Sequence, residues 1–197
     1  LSQQGRGLTD FGADRNFDDD KFRFVAQFSK GMSKNMSILG GFSSTTAAGK
    51  RYNYLNLGTA FTMDGLFGRF DWTFDGKSGN ALQAVVQKSL GPVSLRLKHQ
   101  HFLNFLENPN SPDGRQIDFR SEAGLFGAVP AKGFLPSIPF TFSGTMTQAS
   151  GIKLLSVGNR LSTHLFGVTW TNSLFLNHFK GLDINTTKTT GTFQASR

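Results

Sequence analysis

Apolar and polar residues alternate along much of this chain, most clearly from Asn80 to Phe105. Val93, Leu95 and Leu97 share one parity, and Ser94, Arg96, Lys98 and Gln100 share the other. The preceding arm repeats the pattern, with Leu82, Ala84, Val86 and Leu90 set against Gln83, Gln87 and Ser89. Strict alternation over this length predicts strands with one apolar and one polar face. Leu90-Gly91-Pro92 folds the two arms into a hairpin. Arms of about ten residues suit a strand tilted across a bilayer, whereas strands of soluble sandwiches are nearer about five or six.

The same rhythm extends in both directions. Phe22, Phe24, Ala26 and Phe28 share a parity, with Lys21, Arg23 and Gln27 on the other. A turn over residues 30–34 leads to Met36, Ile38, Gly40 and Phe42. Residues 43–50 are small and polar and predict a loop. In the next strand Leu55, Leu57 and Phe61 oppose Tyr52, Tyr54, Asn56, Gly58 and Ala60. Asp64-Gly65 is a hairpin turn signal. Leu66, Gly68, Phe70, Trp72 and Phe74 then alternate with Arg69, Asp71 and Thr73, and the three aromatics suit a lipid-facing band running into an interfacial girdle. Residues 75–79 turn the chain into the hairpin described first.

After Phe105 the pattern weakens. Residues 106–115 predict a loop and 115–120 a short strand. Pro130, Pro136 and Pro139 make residues 121–139 a long loop, an inward-folded segment or a distorted edge, because proline supplies no ladder donor. Strands are expected at 140–147, 151–157, 159–172 and 173–180, with 183–190 a polar connection into a last strand. The fold class predicted is all-β: an antiparallel transmembrane β-barrel built as a meander of long hairpins. Its divisions are a polar and acidic segment at 1–20 and barrel strands over 21–197, with the Pro/Gly-rich interruption at about 106–139. The opening LSQQGRG has no Met, basic region or apolar core, and residues 190–197 resemble a turn entering another strand. Both features lead us to expect a piece of a longer protein.

Composition narrows the function classes. No run approaches eighteen apolar residues, so helical spanning is excluded. Cysteine is absent, which removes disulfides and thiolate metal sites. The net charge of +8 comes from Lys and Arg scattered singly, not gathered on one face with stacking aromatics, so no nucleic-acid partner is expected. Asp14, Asn16, Asp18 and Asp20 alternate like calcium-loop ligands. However, Asp19 and Val25 stand where such a loop needs Gly and Glu. A solvated acidic loop is the primary reading and a calcium site the secondary one. His99 and His101 share a strand face and could begin a metal site, with His164, His178 or a carboxylate elsewhere as the third ligand. They read more simply as interfacial residues at a strand end. No nucleophile elbow, phosphate loop or zinc-protease motif is present, so neither enzyme activity nor a cofactor is expected.

Several short motifs carry a family resemblance. They are Phe28-Ser29-Lys30-Gly31-Met32-Ser33, Leu39-Gly40-Gly41, Tyr54-Leu55-Asn56-Leu57-Gly58, Gly65-Leu66-Phe67-Gly68 with Phe70-Asp71-Trp72, and Gly79-x-Ala81-x-Gln83 closing on Gln87-Lys88-Ser89-Leu90. The run from Phe24 to Phe105 resembles the barrel of chaperone–usher pilus assembly platforms, and other large Gram-negative outer-membrane barrels share this rhythm. The resemblance implies a wide outer-membrane pore through which folded protein subunits are exported. From the alternation, Gln27, Arg69, Gln83, Gln87, Arg96 and Lys98 are the expected lumen-lining residues. Phe70, Trp72, Phe74, Leu82, Val86, Val93, Leu95 and Leu97 are the expected lipid-facing residues. The expected partners are membrane lipid and either exported subunits or anionic solutes. A porin for small anionic solutes and a soluble β-sandwich adhesin or carbohydrate-binding module are the alternatives.

Overall fold

The computed structural model describes residues 24–47, 50–76, 79–105, 117–131, 136–166, 168–181 and 185–196. They form one antiparallel sheet of eleven strands in simple chain order. The strands are β1 (Phe24–Ser33), β2 (Met36–Ala47), β3 (Lys50–Met63), β4 (Leu66–Phe74), β5 (Asn80–Leu90) and β6 (Val93–Leu103). There follow β7 (Ile117–Val129), β8 (Ile138–Ala149), β9 (Ile152–Leu165), β10 (Val168–Lys180) and β11 (Asn185–Ser196). The all-β meander predicted from the alternation is present. Among the described residues β1 and β11 each pair on one side only, so the sheet has two edges and is not a closed ring.

Tight turns follow the local chemistry. Asp64 and Gly65 both have positive φ (46° and 74°), the requirement of a two-residue type I′ hairpin, and Ser150-Gly151 repeats it at 48° and 80°. Gly91 at 60° precedes Pro92 and supplies the left-handed first position of a II′-like turn.

Several segments expected to be loops are strand. Residues 43–47 and Lys50 belong to the paired β2 and β3, with Thr46 opposite Arg51 and Ala47 opposite Lys50. Residues 117–129 form β7, paired on both sides, because the three prolines lie beyond it. Pro139 is opposite Ala128, one residue before the β8–β9 ladder opens at Phe140, so its missing donor removes nothing from that ladder. Residues 185–196 form β11 without interruption at Thr190-Gly191. Threonine is a strand former, and its polarity here had suggested a connection. The boundary between β9 and β10 falls at Phe166, not at residue 172.

Register gives the sheet a regular stagger. One line of opposed residues runs through Met36, Phe61, Gly68, Val86, Leu97, Ala123, Gly144, Val157 and Leu176. The β1–β2 turn begins at this line, next to Met36. The β3–β4 pair ends two residues beyond it at Met63 and Leu66, and the β5–β6 pair four beyond at Leu90 and Val93. The β7–β8 pair ends six beyond at Val129 and Ile138, and the β9–β10 pair eight beyond at Leu165 and Val168. Each hairpin is thus displaced by two residues, or one residue per strand. With about 3.4 Å per residue and about 4.8 Å between strands, level turns require the strands to tilt by about 35°. That is the tilt range of closed barrels.

Candidate functional site

The register sorts side chains onto two faces of opposite character. One face carries Leu55, Leu57 and Phe61 of β3, Phe70, Trp72 and Phe74 of β4, Leu82 and Val86 of β5, and Val93, Leu95 and Leu97 of β6. All eight expected lipid-facing residues fall here. The other face carries Gln27, Arg69, Gln83, Gln87, Arg96 and Lys98, the whole expected lumen-lining set.

Burial runs opposite to that of a soluble protein. Asp71 is 0% exposed, Gln100 and Asn56 1%, and Gln83 3%, while Leu57 is 41% and Leu97 45% exposed. Among the described residues, elements contact only their neighbours in chain order, so no second layer covers the apolar face. A single sheet buries one face and splays the other when it curls, so the polar face is the concave one. Tyr54 of β3 meets Phe105, which follows β6, with rings tilted at 53° and centroids 5.7 Å apart, reaching across β4 and β5. With Ala81 and Phe102 they form the buried apolar cluster, an aromatic patch at the loop end of the concave face.

The buried polar groups form a chain across three strands. Arg69 donates to Asp71 through Nε (2.7 Å to Oδ2) and Nη2 (2.9 Å to Oδ1), a two-pronged charge-assisted pair. Gln83 Nε2 donates to Asp71 Oδ2 at 3.3 Å, and Gln100 Nε2 donates to Gln83 Oε1 at 3.1 Å. Asn56 Nδ2 donates to Thr73 Oγ1 at 2.8 Å beside it. Gly58, directly opposite Asp71, leaves the space its carboxylate occupies, since a Cβ there would strike Asp71 Oδ1. Lys98 Nζ is 4.0 Å from Glu122 Oε1 on β7. Among the described residues Arg96 and Arg160, also on this face, have no carboxylate within salt-bridge distance.

From β8 onward the concave face mixes hydroxyls (Thr141, Ser143, Thr145 and Thr147 on β8, Ser156 and Ser162 on β9, Thr171 and Ser173 on β10) with the apolar Ile152, Leu154, Phe175 and Phe179 toward its loop end. Ser162 and Thr171 hydrogen-bond across the strands at 3.0 Å. The sequence had not nominated this sector, nor Asp71 and Gln100. Parity counted outward from Arg96 finds Gln100, and parity from Arg69 finds Asp71.

The histidines do not converge. His99 and His101 stack with centroids 6.5 Å apart on the apolar face, and His99 Nδ1 bonds Ser121 Oγ at 2.8 Å. His164 lies on β9 and His178 on β10, where they bond Thr169 and Thr187. Among the described residues no group of three potential ligands surrounds a metal position. Asp14, Asn16, Asp18, Asp20, Lys21, Phe22 and Arg23 lie outside the described residues. No protein-family model matches this chain, and no curated protein shows significant similarity to it.

Proposed function

We propose that this chain forms part of the wall of an outer-membrane β-barrel whose concave polar face lines a water-filled conduit for exported protein subunits. One observation carries the reading: across β3 to β6 polar side chains of the concave face (Asn56, Asp71, Gln83, Gln100) are buried, while large apolar side chains of the other face (Leu57, Phe61, Leu97) stay exposed. In water that arrangement leaves a large apolar surface exposed. In a bilayer the convex face meets hydrocarbon, and the ladder satisfies backbone donors and acceptors. Strands of 9 to 14 residues and a tilt of about 35° match what spanning requires. Eleven neighbouring strands exceed the eight of a side-chain-filled barrel, so the ring they belong to has room for water.

The chain has no cysteine, so single cysteines report accessibility directly. Introduced at Arg96 or Lys98 in the vesicle-inserted protein, they should react with a membrane-impermeant maleimide. At Leu95 or Leu97 they should be protected. The reverse pattern would refute the face assignment. Labelling only after detergent is absent, with the protein in the aqueous phase, would indicate a soluble module instead. A second reading, passage of small anionic solutes, is favoured by Arg96 and Arg160. Planar-bilayer recordings separate the two: an anion-selective pore of small conductance supports the solute channel, and a wide, weakly selective one supports export.

A further inference from the structure

The charges on the apolar face are confined to its borders. On the described strands this face carries Lys30, Arg51, Lys88, Lys153 and Lys180, and the one carboxylate that reaches it is Asp118 at the β7 bulge, which accepts from Gln148 Nε2 at 3.4 Å. At the turn end, Lys88 Nζ reaches the Asp64 carbonyl at 2.6 Å. The opposite border differs. Arg51, Lys153 and Lys180 each lie twelve residues along their strands from the turn-end residues Met63, Leu165 and Val168. The stagger that levels the turns therefore also brings these three cations to one height, about 33 Å above the turns at about 3.4 Å per residue and about 35° tilt. An apolar band is about 25 Å tall, so the three sit just beyond it. Leu155, Val157, Leu174 and Leu176 lie below the two lysines.

Lys153 and Lys180 are also directly opposed in the β9–β10 ladder. Like charges in that position destabilise a sheet unless an anion lies between them. Among the described residues no carboxylate is within salt-bridge distance of either. Gln148, opposite Lys153, turns its amide to Asp118 Oδ2 at 3.4 Å, which leaves the two ammonium groups as the ligand-facing donors.

We propose that Lys153 and Lys180 form a clamp for the phosphate of a membrane-lipid headgroup, in a cationic rim that Arg51 continues at the same height. The inference rests on the barrel reading, and the experiment separates the two. The full chain is inserted into vesicles of phosphatidylcholine alone and of phosphatidylcholine with phosphatidylglycerol, with insertion read from heat-modifiable gel mobility. Failure to insert into either would overturn the barrel and the clamp together. Each lysine near an anionic surface strengthens partition about fivefold, so K153Q/K180Q should lower the preference for the phosphatidylglycerol vesicles roughly thirtyfold. K188Q, on the opposite face of β11, should leave it unchanged. Equal loss in K188Q would mean that only net charge matters and would overturn the clamp. So would an unchanged preference in K153Q/K180Q. Inorganic phosphate that abolishes the preference at millimolar concentration would overturn the lipid assignment in favour of a free-anion site.

Discussion

Replacing Arg69 by methionine tests whether the concave face is packed or bathed in water. Asp71 is fully buried and the Arg69 side chain 17% exposed, and the guanidinium supplies both strong bonds to the carboxylate. Removing one partner of a buried pair costs about 3–5 kcal/mol, because the other charge remains without compensation. The Gln83 amide at 3.3 Å offsets about 1 kcal/mol of that, leaving an expected loss of about 2–4 kcal/mol for R69M. D71N keeps a group able to accept from Gln83 and leaves a partly hydrated guanidinium, so it should lose about 1–2 kcal/mol. The double variant R69M/D71N carries no stranded charge and should lose little more than D71N alone. Unfolding by urea in lipid vesicles, followed by the fluorescence of Trp72 and Trp170, gives these free energies by linear extrapolation. A loss below about 1 kcal/mol for R69M, with additive effects in the double variant, is the behaviour of an exposed ion pair. It would show that water reaches Asp71 and that the wall here is not close-packed.

Three further outcomes follow from named contacts. Leu57→Arg places a charge six residues from Met63, at mid-height on the apolar face, and should cost about 2–4 kcal/mol in vesicles. Gln87→Arg on the concave face should be near neutral in the same assay. A Cβ on Gly127 would meet the backbone of Pro92 and Val93, whereas on Gly68 it would meet only the Phe61 ring, which can swing aside. Gly127→Ala should therefore lose about 1–3 kcal/mol and Gly68→Ala less, with the reverse order in urea midpoints counting against the close approach. Gly65→Ala forces a side chain into φ +74°, where its Cβ would meet only the Ser89 carbonyl oxygen at an ordinary 3.8 Å. The expected loss is about 1–2 kcal/mol, from backbone strain alone.

Much of the fold was legible because alternation determines face. Arg69, Gln83, Gln87, Arg96 and Lys98 separate from Leu82, Val86, Leu95 and Leu97 by parity, and the ladder could not pair them otherwise without a one-residue slip. What escaped the sequence has identifiable causes. β7 was hidden by prolines that lie outside it. Ser43 to Ala47 and Asn185 to Thr190 are too polar to stand out as strand when both parities are hydroxyl-bearing. Thr187 and Thr189 even occupy the apolar face of β11, so the two-faced pattern fades there. The Asp71–Gln83–Gln100 chain depends on register between three strands, which no single strand encodes. The common height of Arg51, Lys153 and Lys180 is set by the stagger of five hairpins, and so was beyond any local reading.

The edges of the sheet carry a consequence of direction. β1 and β11 are both odd-numbered members of an up-and-down meander, so both run from the loop end toward the turn end. Joined to each other they would make a parallel seam in an otherwise antiparallel cylinder. An antiparallel seal needs an odd number of strands between them, and the simplest is one strand running the opposite way, whether donated by this polypeptide or by a neighbour. Lateral access to the interior would pass through that seam, between a Thr-rich border and a Phe-bearing one.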